Sequence, residues 1–339
     1  MIDSLGIARA LVRQAMAVPL RANLEPRDKS MAATTEASAA NIAIIVLTVN
    51  QRDRTARCLS SLLASEQPPP HVIVWDNGSQ DGTAEAIRAA FPDVLVHHHP
   101  VNLGVASGRN AAAALAMQAF NPSHLLFLDN DMLLEPGFVS ALLQPFQADR
   151  RVGQTQAKLR FMHDRQRIND GGGCRINFAL GRTRPVGFGE VDRGQHDTPK
   201  PCVACGGAMM VRAGIFNQLG GFDALFDPFG PEDLDFSLRL AKAGYQALYV
   251  PQAVAYHEVS HTFGEGYSEA YARHKSRHWL LFARRHASPG QKLGFFLVGA
   301  PYLVARVIMR EGGKGNWRAF RGLLRGMLDF FRSSVMVGR

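Results

Sequence analysis

The tightest constraint on the fold lies between residues 41 and 131, where apolar runs of strand length alternate with helical patterns and each run ends in polar residues. "IAIIVLTV" is β-branched and apolar throughout, and "RDRTARCLSSLLAS" then spaces its apolar residues as a helix does before closing at Pro68–Pro70. "HVIVWDNGS" and the helix "DGTAEAIRAAF" repeat the design, followed by "DVLVHHH", the loop "PVNLGVASG", the helix "RNAAAALAMQAF" and the strand "HLLFLDND". Buried strands alternating with helices predict an α/β fold, a Rossmann-like, mostly parallel central sheet flanked by helices. Such sheets bind ligands beyond the carboxyl ends of their strands. Four polar clusters fall there: Thr48 and Asn50, Asp76 to Ser79, Asn102 to Arg109, and Asp129 to Asp131.

Further on, "VGQTQAKLRF" reads as a strand, and residues 162–200, rich in Gly, Arg and Asp, as a long loop with a hairpin that could cover the site. Order returns with "CGGAMMVRAGIFNQLGGFD", a strand and a short helix. "GPEDLDFSLRLAKAGY" is a helix that opens on acids and closes on Gly244, and "QALYVPQAVAYH" is a last strand.

The strand before Asp129 and Asp131 is a rigid post. Two carboxylates at alternate positions on a turn repel unless a divalent cation lies between them, and Mg²⁺ or Mn²⁺ accepts such a pair while leaving positions for phosphate oxygens and water. The four cysteines suggest no alternative centre. Cys58, Cys174, Cys202 and Cys205 are too few for a disulfide scaffold, and "CVAC" has no second Cys/His pair to close a zinc site.

"IIVLTVN", "VIVWDNGSQDGT", "NLGVASGRN", "LLFLDNDM", "CGGAMMVRAGIFNQLGGFD" and "EDLDFSLRLAKAGY", in this order, resemble the inverting glycosyltransferases of family 2 with the GT-A fold, from about Asn41 to Ser268. The resemblance implies a nucleotide-diphosphate sugar donor, held at Thr48, Asn50, Asp76, Arg109 and Asp129. Asp76 would accept from the nucleobase and Arg109 would approach the nucleotide; an ion pair of Arg109 with Asp76 or Asp129 is the structural alternative. Asp131, with Asp129 and His257, would hold the metal. Asp233 would be the general base and Glu232 would bind acceptor or orient Asp233. Helix-dipole complementarity alone also explains acids at that helix start, and His257 also suits a packed strand end, with His261 its weaker rival. Val49 departs from the family, which often carries an aromatic there.

Charge is uneven. The chain carries a formal +9, yet residues 270–339 hold 14 Lys/Arg against 2 Asp/Glu, so the remainder is slightly acidic. "YARHKSRHWLLFARRH" and "NWRAFRGLLRGMLDFFR" set cations among Trp, Phe and Leu as interfacial helices do. "KLGFFLVGAPYLVARVIMR" has 17 residues between its outer cations and is interrupted by Pro301, short of the ~20 apolar residues of a span. The expected organisation is a flexible or amphipathic leader over 1–40, a catalytic domain over 41–268, and a basic amphipathic helical extension over 269–339. That extension would attach peripherally to an anionic membrane, on the cytoplasmic inner face; packing on the domain is the alternative. No nucleic-acid reader motif accompanies it.

These readings point to metal-assisted, inverting transfer of one sugar to a glycan or lipid-linked acceptor in surface polysaccharide synthesis, a rhamnosyl-type enzyme being one candidate. The "Q-x-x-R-W" element of processive synthases is missing. A nucleotidyltransferase is the enzymatic rival, although "QRDR" after the first strand lacks the glycines for a triphosphate. A non-catalytic binder of sugar nucleotide or glycan is the other.

Overall fold

The computed structural model describes residues 41–66, 70–204, 206–258 and 268–336; the leader over 1–40, Cys205 and His261 lie outside them. The expected strands form β1 (Ile42–Thr48), β2 (His71–Asn77), β3 (Leu95–His99) and β4 (His124–Asp129). They pair in parallel in the order β3-β2-β1-β4. Both faces are covered, which is why the runs are apolar without alternation. Ile44 and Val46 of β1 pack with Leu59, Leu126, Phe138 and Leu142 on one side, while Ile45 packs with Ile73, Phe127, Phe216 and Phe236 on the other.

β5 (Met132–Leu134), β6 (Val152–Phe161), β7 (Ile168–Asp170), β8 (Cys174–Asn177), β9 (Arg182–Pro185), β10 (Lys200–Pro201), β11 (Ala208–Arg212) and β12 (Gln246–His257) follow. β11 runs antiparallel between β4 and β6, and β12 lies parallel to β6. The sheet is therefore mixed beyond β4. The antiparallel β11 folds the later chain back, and pairing of β5 with β12 sets Met132 opposite His257.

Residues 162–200 contain the expected hairpin, β8–β9. They are also more firmly tied down than their composition suggests. β7 pairs with β6, and Lys158 is buried on β6 between Asp192 at 2.6 Å and Asp197 at 2.5 Å.

After residue 268, the Glu269–His286 helix is capped by Ser268, whose Oγ accepts from Tyr271 N–H at 3.1 Å. It pairs with the Trp317–Met336 helix at backbone contact. A Cβ at Gly326 would lie 2.1 Å from the Arg273 carbonyl oxygen, and one at Gly322 2.2 Å from that of Glu269. Between them runs a continuous, mostly exposed helix, Pro289–Gly312, of 24 residues. Pro301 does not break it. A wide turn over Phe295–Gly299 precedes the proline and absorbs the missing N–H.

Candidate active site

Asp129 ends β4 beside Leu47 of β1. The next residue, Asn130, turns inward: its Nδ2 lies 3.1 Å from each of Thr48 Oγ1, Gln51 Oε1 and Thr55 Oγ1. This buried amide locks the turn, so Asp129 and Asp131 emerge on either side of a fixed point. His257, at the end of β12, completes a group. One ligand atom from each of Asp129, Asp131 and His257 lies within 4.8 Å of the others, a set that could hold a metal ion. His257 Nε2 is 3.3 Å from Asp131 Oδ1, and its Nδ1 donates to Asn169 Oδ1 at 3.1 Å. Burial works against a charge on this ring, but the hydrogen bond to Asp131 and the charges of Asp131 and Asp129 outweigh it and raise its pKa. In the neutral ring, donation from Nδ1 leaves the Nε2 lone pair facing the carboxylates, the usual outer support of a metal-binding histidine.

A second acidic cluster faces the first. Glu232 and Asp233 open the Glu232–Lys242 helix. Asp233 Oδ1 accepts from Leu234 N–H at 2.6 Å and its Oδ2 accepts from Gly206 N–H. Gly206 and Gly207 join the two clusters, since Gly207 O accepts from Asp129 N–H at 2.7 Å. Gly207 has φ +86°, and a Cβ there would meet the Met132 side chain at 2.7 Å. Arg109 completes the connection, with one guanidinium nitrogen 2.6 Å from Asp129 Oδ1 and another 3.2 Å from Glu232 Oε1. Burial disfavours its charge, but Asp129 and Glu232 outweigh that and raise its pKa. The Val105–Phe120 helix that carries Arg109 is fixed from the same side: Asp227 Oδ1 accepts from Ala106 N–H at 2.9 Å, capping its start.

The second cluster holds protons more tightly than ordinary carboxylates. Burial, then the charge of Asp233, pushes Glu232 up to about 8 against the opposing pull of Arg109. Burial also raises Asp233, over the opposition of its two backbone N–H donors and Arg109.

The expected nucleotide residues lie along the same edge. Asp76 is buried; its Oδ1 accepts from Ser79 N–H at 3.0 Å and its Oδ2 faces His98 Nδ1 at 2.8 Å. Thr48 is buried too, with its hydroxyl 2.8 Å from that of Thr55, so it supports the turn from below. Asn50 adopts φ 51°, accepts from Gln80 N–H at 2.8 Å, and lines an open cleft of about 470 Å³ with Arg52, Arg54, Arg57, Asp81 and Glu258. Arg54 and Arg57 both pair with Glu258, at 3.0 and 2.6 Å, and Glu258 N–H donates to Asp131 O at 3.0 Å. The structure thus brings Asp129, Asp131, His257, Arg109, Glu232 and Asp233 into one constellation, with Thr48, Asn50 and Asp76 along its rim.

Sequence reasoning passed over Asn130, Asn169, His98 and the Gly206–Gly207 turn. Asn130 had one signal, an uncharged amide between two carboxylates. Asn169 sits in the unpatterned stretch and had none.

Residues 39–279 match the family described as Glycosyltransferase like family 2. The chain belongs to glycosyltransferase family 2. Over 264 residues it is 27% identical to the N-acetylglucosaminyl-diphospho-decaprenol L-rhamnosyltransferase of Mycobacterium tuberculosis, covering 72% of this chain and 84% of that one. It is 21% identical to the poly-beta-1,6-N-acetyl-D-glucosamine synthase of Staphylococcus epidermidis, over 66% of this chain and 51% of the synthase. Among solved structures, GalNAc-T7 with UDP, GalNAc and Mn²⁺ is similar at a TM-score of 0.61 and 16% identity, over 77% of this chain and 50% of that one. A mannosyltransferase from Pyrobaculum calidifontis with GDP-Man and Mn²⁺ is similar at a TM-score of 0.53 and 16% identity, over 96% and 94%. The GT-A architecture of this family 2 enzyme, a mostly parallel sheet flanked by helices with C-terminal helices appended, matches the expected fold.

Proposed function

We propose that this glycosyltransferase moves a single sugar from a nucleotide-diphosphate donor to a glycan or lipid-linked acceptor with inversion at the anomeric carbon, assisted by Mg²⁺ or Mn²⁺, in cell-surface polysaccharide synthesis. The observation that carries the reading is the pair of acidic clusters held at fixed separation by Arg109 and the Gly206–Gly207 turn. Asp129, Asp131 and His257 would hold the cation, which as a Lewis acid would neutralise charge gathering on the departing diphosphate.

The remaining work falls to side chains of this chain. Asp233 would take the proton of the acceptor hydroxyl as that oxygen bonds to the anomeric carbon and the sugar–phosphate bond breaks, its electron pair leaving with the diphosphate. A raised proton affinity suits a base, and two backbone donors fix its orientation. Glu232, tied to Arg109, would orient the base and border the acceptor. Asp76 and Asn50 would receive the nucleoside, with Thr48 supporting the turn beneath it and Arg109 balancing charge between the clusters. The polyprenyl diphosphate in the mycobacterial relative's name supports a lipid-linked acceptor and a rhamnosyl donor for this chain. A location at the cytoplasmic, inner face of the membrane, where a nucleotide-sugar donor would meet a lipid-linked acceptor, belongs to the same proposal.

A thermal-shift screen of UDP-, dTDP- and GDP-sugars with Mn²⁺, followed by product analysis on a lipid-diphosphate sugar, tests the reading. One donor should raise the melting temperature in a metal-dependent way, and the product anomer should be opposite to the donor's. A product with retained configuration would overturn it.

A further inference from the structure

The Pro289–Gly312 helix turns large apolar side chains to solvent. Leu293, Phe296, Leu297, Val298, Ile308 and Met309 are exposed, Leu297 at 68% and Met309 at 72%. Its inner side is docked on the β8–β9 hairpin. A Cβ at Gly299 would lie 2.2 Å from the Ala179 carbonyl oxygen, and one at Gly181 2.7 Å from the Phe295 ring. Arg182 reaches Tyr302, donating to its hydroxyl at 3.2 Å. Helix and hairpin therefore form one surface, although some 110 residues separate them in sequence.

The charge of this surface is one-sided. Residues 171–189 contain no Asp or Glu, and between 289 and 328 the only one is Glu311, which is buried against Arg310 and Asn316. Arg175, Arg182 and Arg184 on the hairpin and Arg306 on the helix are exposed around the apolar side chains. A recess of about 110 Å³ opens on the same surface between Phe178, Phe295, Phe296 and Phe330, with Lys292 at its edge.

We infer that helix Pro289–Gly312 and the β8–β9 hairpin together form a docking face for an anionic lipid bilayer, with the helix lying in the membrane plane rather than crossing it. By length and composition the helix could cross. Its packing says otherwise. A crossing would carry the hairpin's exposed arginines, Arg175, Arg182 and Arg184, into hydrocarbon, where their charge is not satisfied. Lying flat, the apolar side chains enter the acyl boundary while the arginines meet lipid phosphates. The recess suits the end of one acyl chain. This deepens the membrane location proposed above, and its test reads binding rather than turnover, so its failure would leave the catalytic reading standing.

Flotation of the full chain with phosphatidylcholine vesicles, with and without phosphatidylglycerol, supplies the test. Binding should require the anionic lipid, weaken with salt, and be released by an alkaline carbonate wash. Leu297→Glu with Met309→Glu should lower partitioning by at least ~10-fold, and Arg182→Glu with Arg184→Glu by about 10-fold. The milder pair Leu297→Ser and Met309→Ser, at exposed positions, should give a smaller loss with an unchanged melting temperature. Resistance to carbonate would mean a crossing helix and would overturn the inference. So would wild-type binding by the variants, or a change from dimer to monomer in the variants with vesicles ignored by both forms.

Discussion

The two acidic clusters of the site lie on either side of one arginine, yet they are built oppositely. Asp129 and Asp131 project from a strand end beside an imidazole that they make more basic. Glu232, buried, and Asp233, partly buried, sit at a helix start, where loss of water raises both. Two residues further on, burial also works against Asp235, but hydrogen bonds from His286, Arg239 and Arg285 outweigh it and hold it at about 2. Surroundings, not residue type, set the two apart: the first could hold a cation, and under the proposed function the second would take a proton.

That contrast can be broken most directly at Asp233. Replacing it by Asn keeps its shape and removes its basicity, so turnover should fall by ~10²–10⁴-fold with donor binding intact; steady-state kinetics beside donor titration would show this, and an unchanged rate would remove the base from the account. Arg109→Ala removes the counter-ion of Asp129, whose side chain is 32% exposed, while Glu232 largely keeps its proton at neutral pH. Losing a hydrogen bond to one charged group in this way costs about 1.5–3 kcal/mol, which denaturant unfolding at neutral pH should register. Asn169→Ala should spare the fold but weaken Mn²⁺ binding by ~10–100-fold, the usual effect of losing a ligand's outer partner, as calorimetry would measure.

The smallest effect is a slope. Glu232 keeps its proton in the folded chain up to about 8, whereas unfolding returns it to the ordinary range near 4.5. Between those values the native state binds more protons than the unfolded one, so the Glu232 contribution to stability declines as pH rises and levels off above about 8. Glu232→Gln should flatten that decline in melting temperature against pH. An unchanged profile would place the ionised form in the native site.

Much of this was legible in sequence because the parallel half of the sheet is written locally. Each apolar run of β1, β2 and β4 is buried on both faces and delivers its polar residues to one edge. The DND turn and the acids of "PEDLD" were readable for the same reason. The joining pieces were not. Arg109 reaches Glu232 across 123 positions and Asn169 reaches His257 across 88, and no local pattern encodes such distances. Nor did the sequence show that Pro301 sits in a continuous helix, which depends on the wide turn before it, or that the hairpin in 162–200 would pack on that helix, which depends on glycine contacts made only in the folded chain.

Calorimetric titration of the nucleotide sugar in the presence and absence of Mn²⁺, on Asp131→Ala and Asp233→Asn side by side, tests the division of labour most directly. Asp233→Asn should bind donor with the metal dependence of the wild type, and Asp131→Ala should lose that dependence. Equal losses in both variants, or metal-dependent binding that survives in Asp131→Ala, would contradict it.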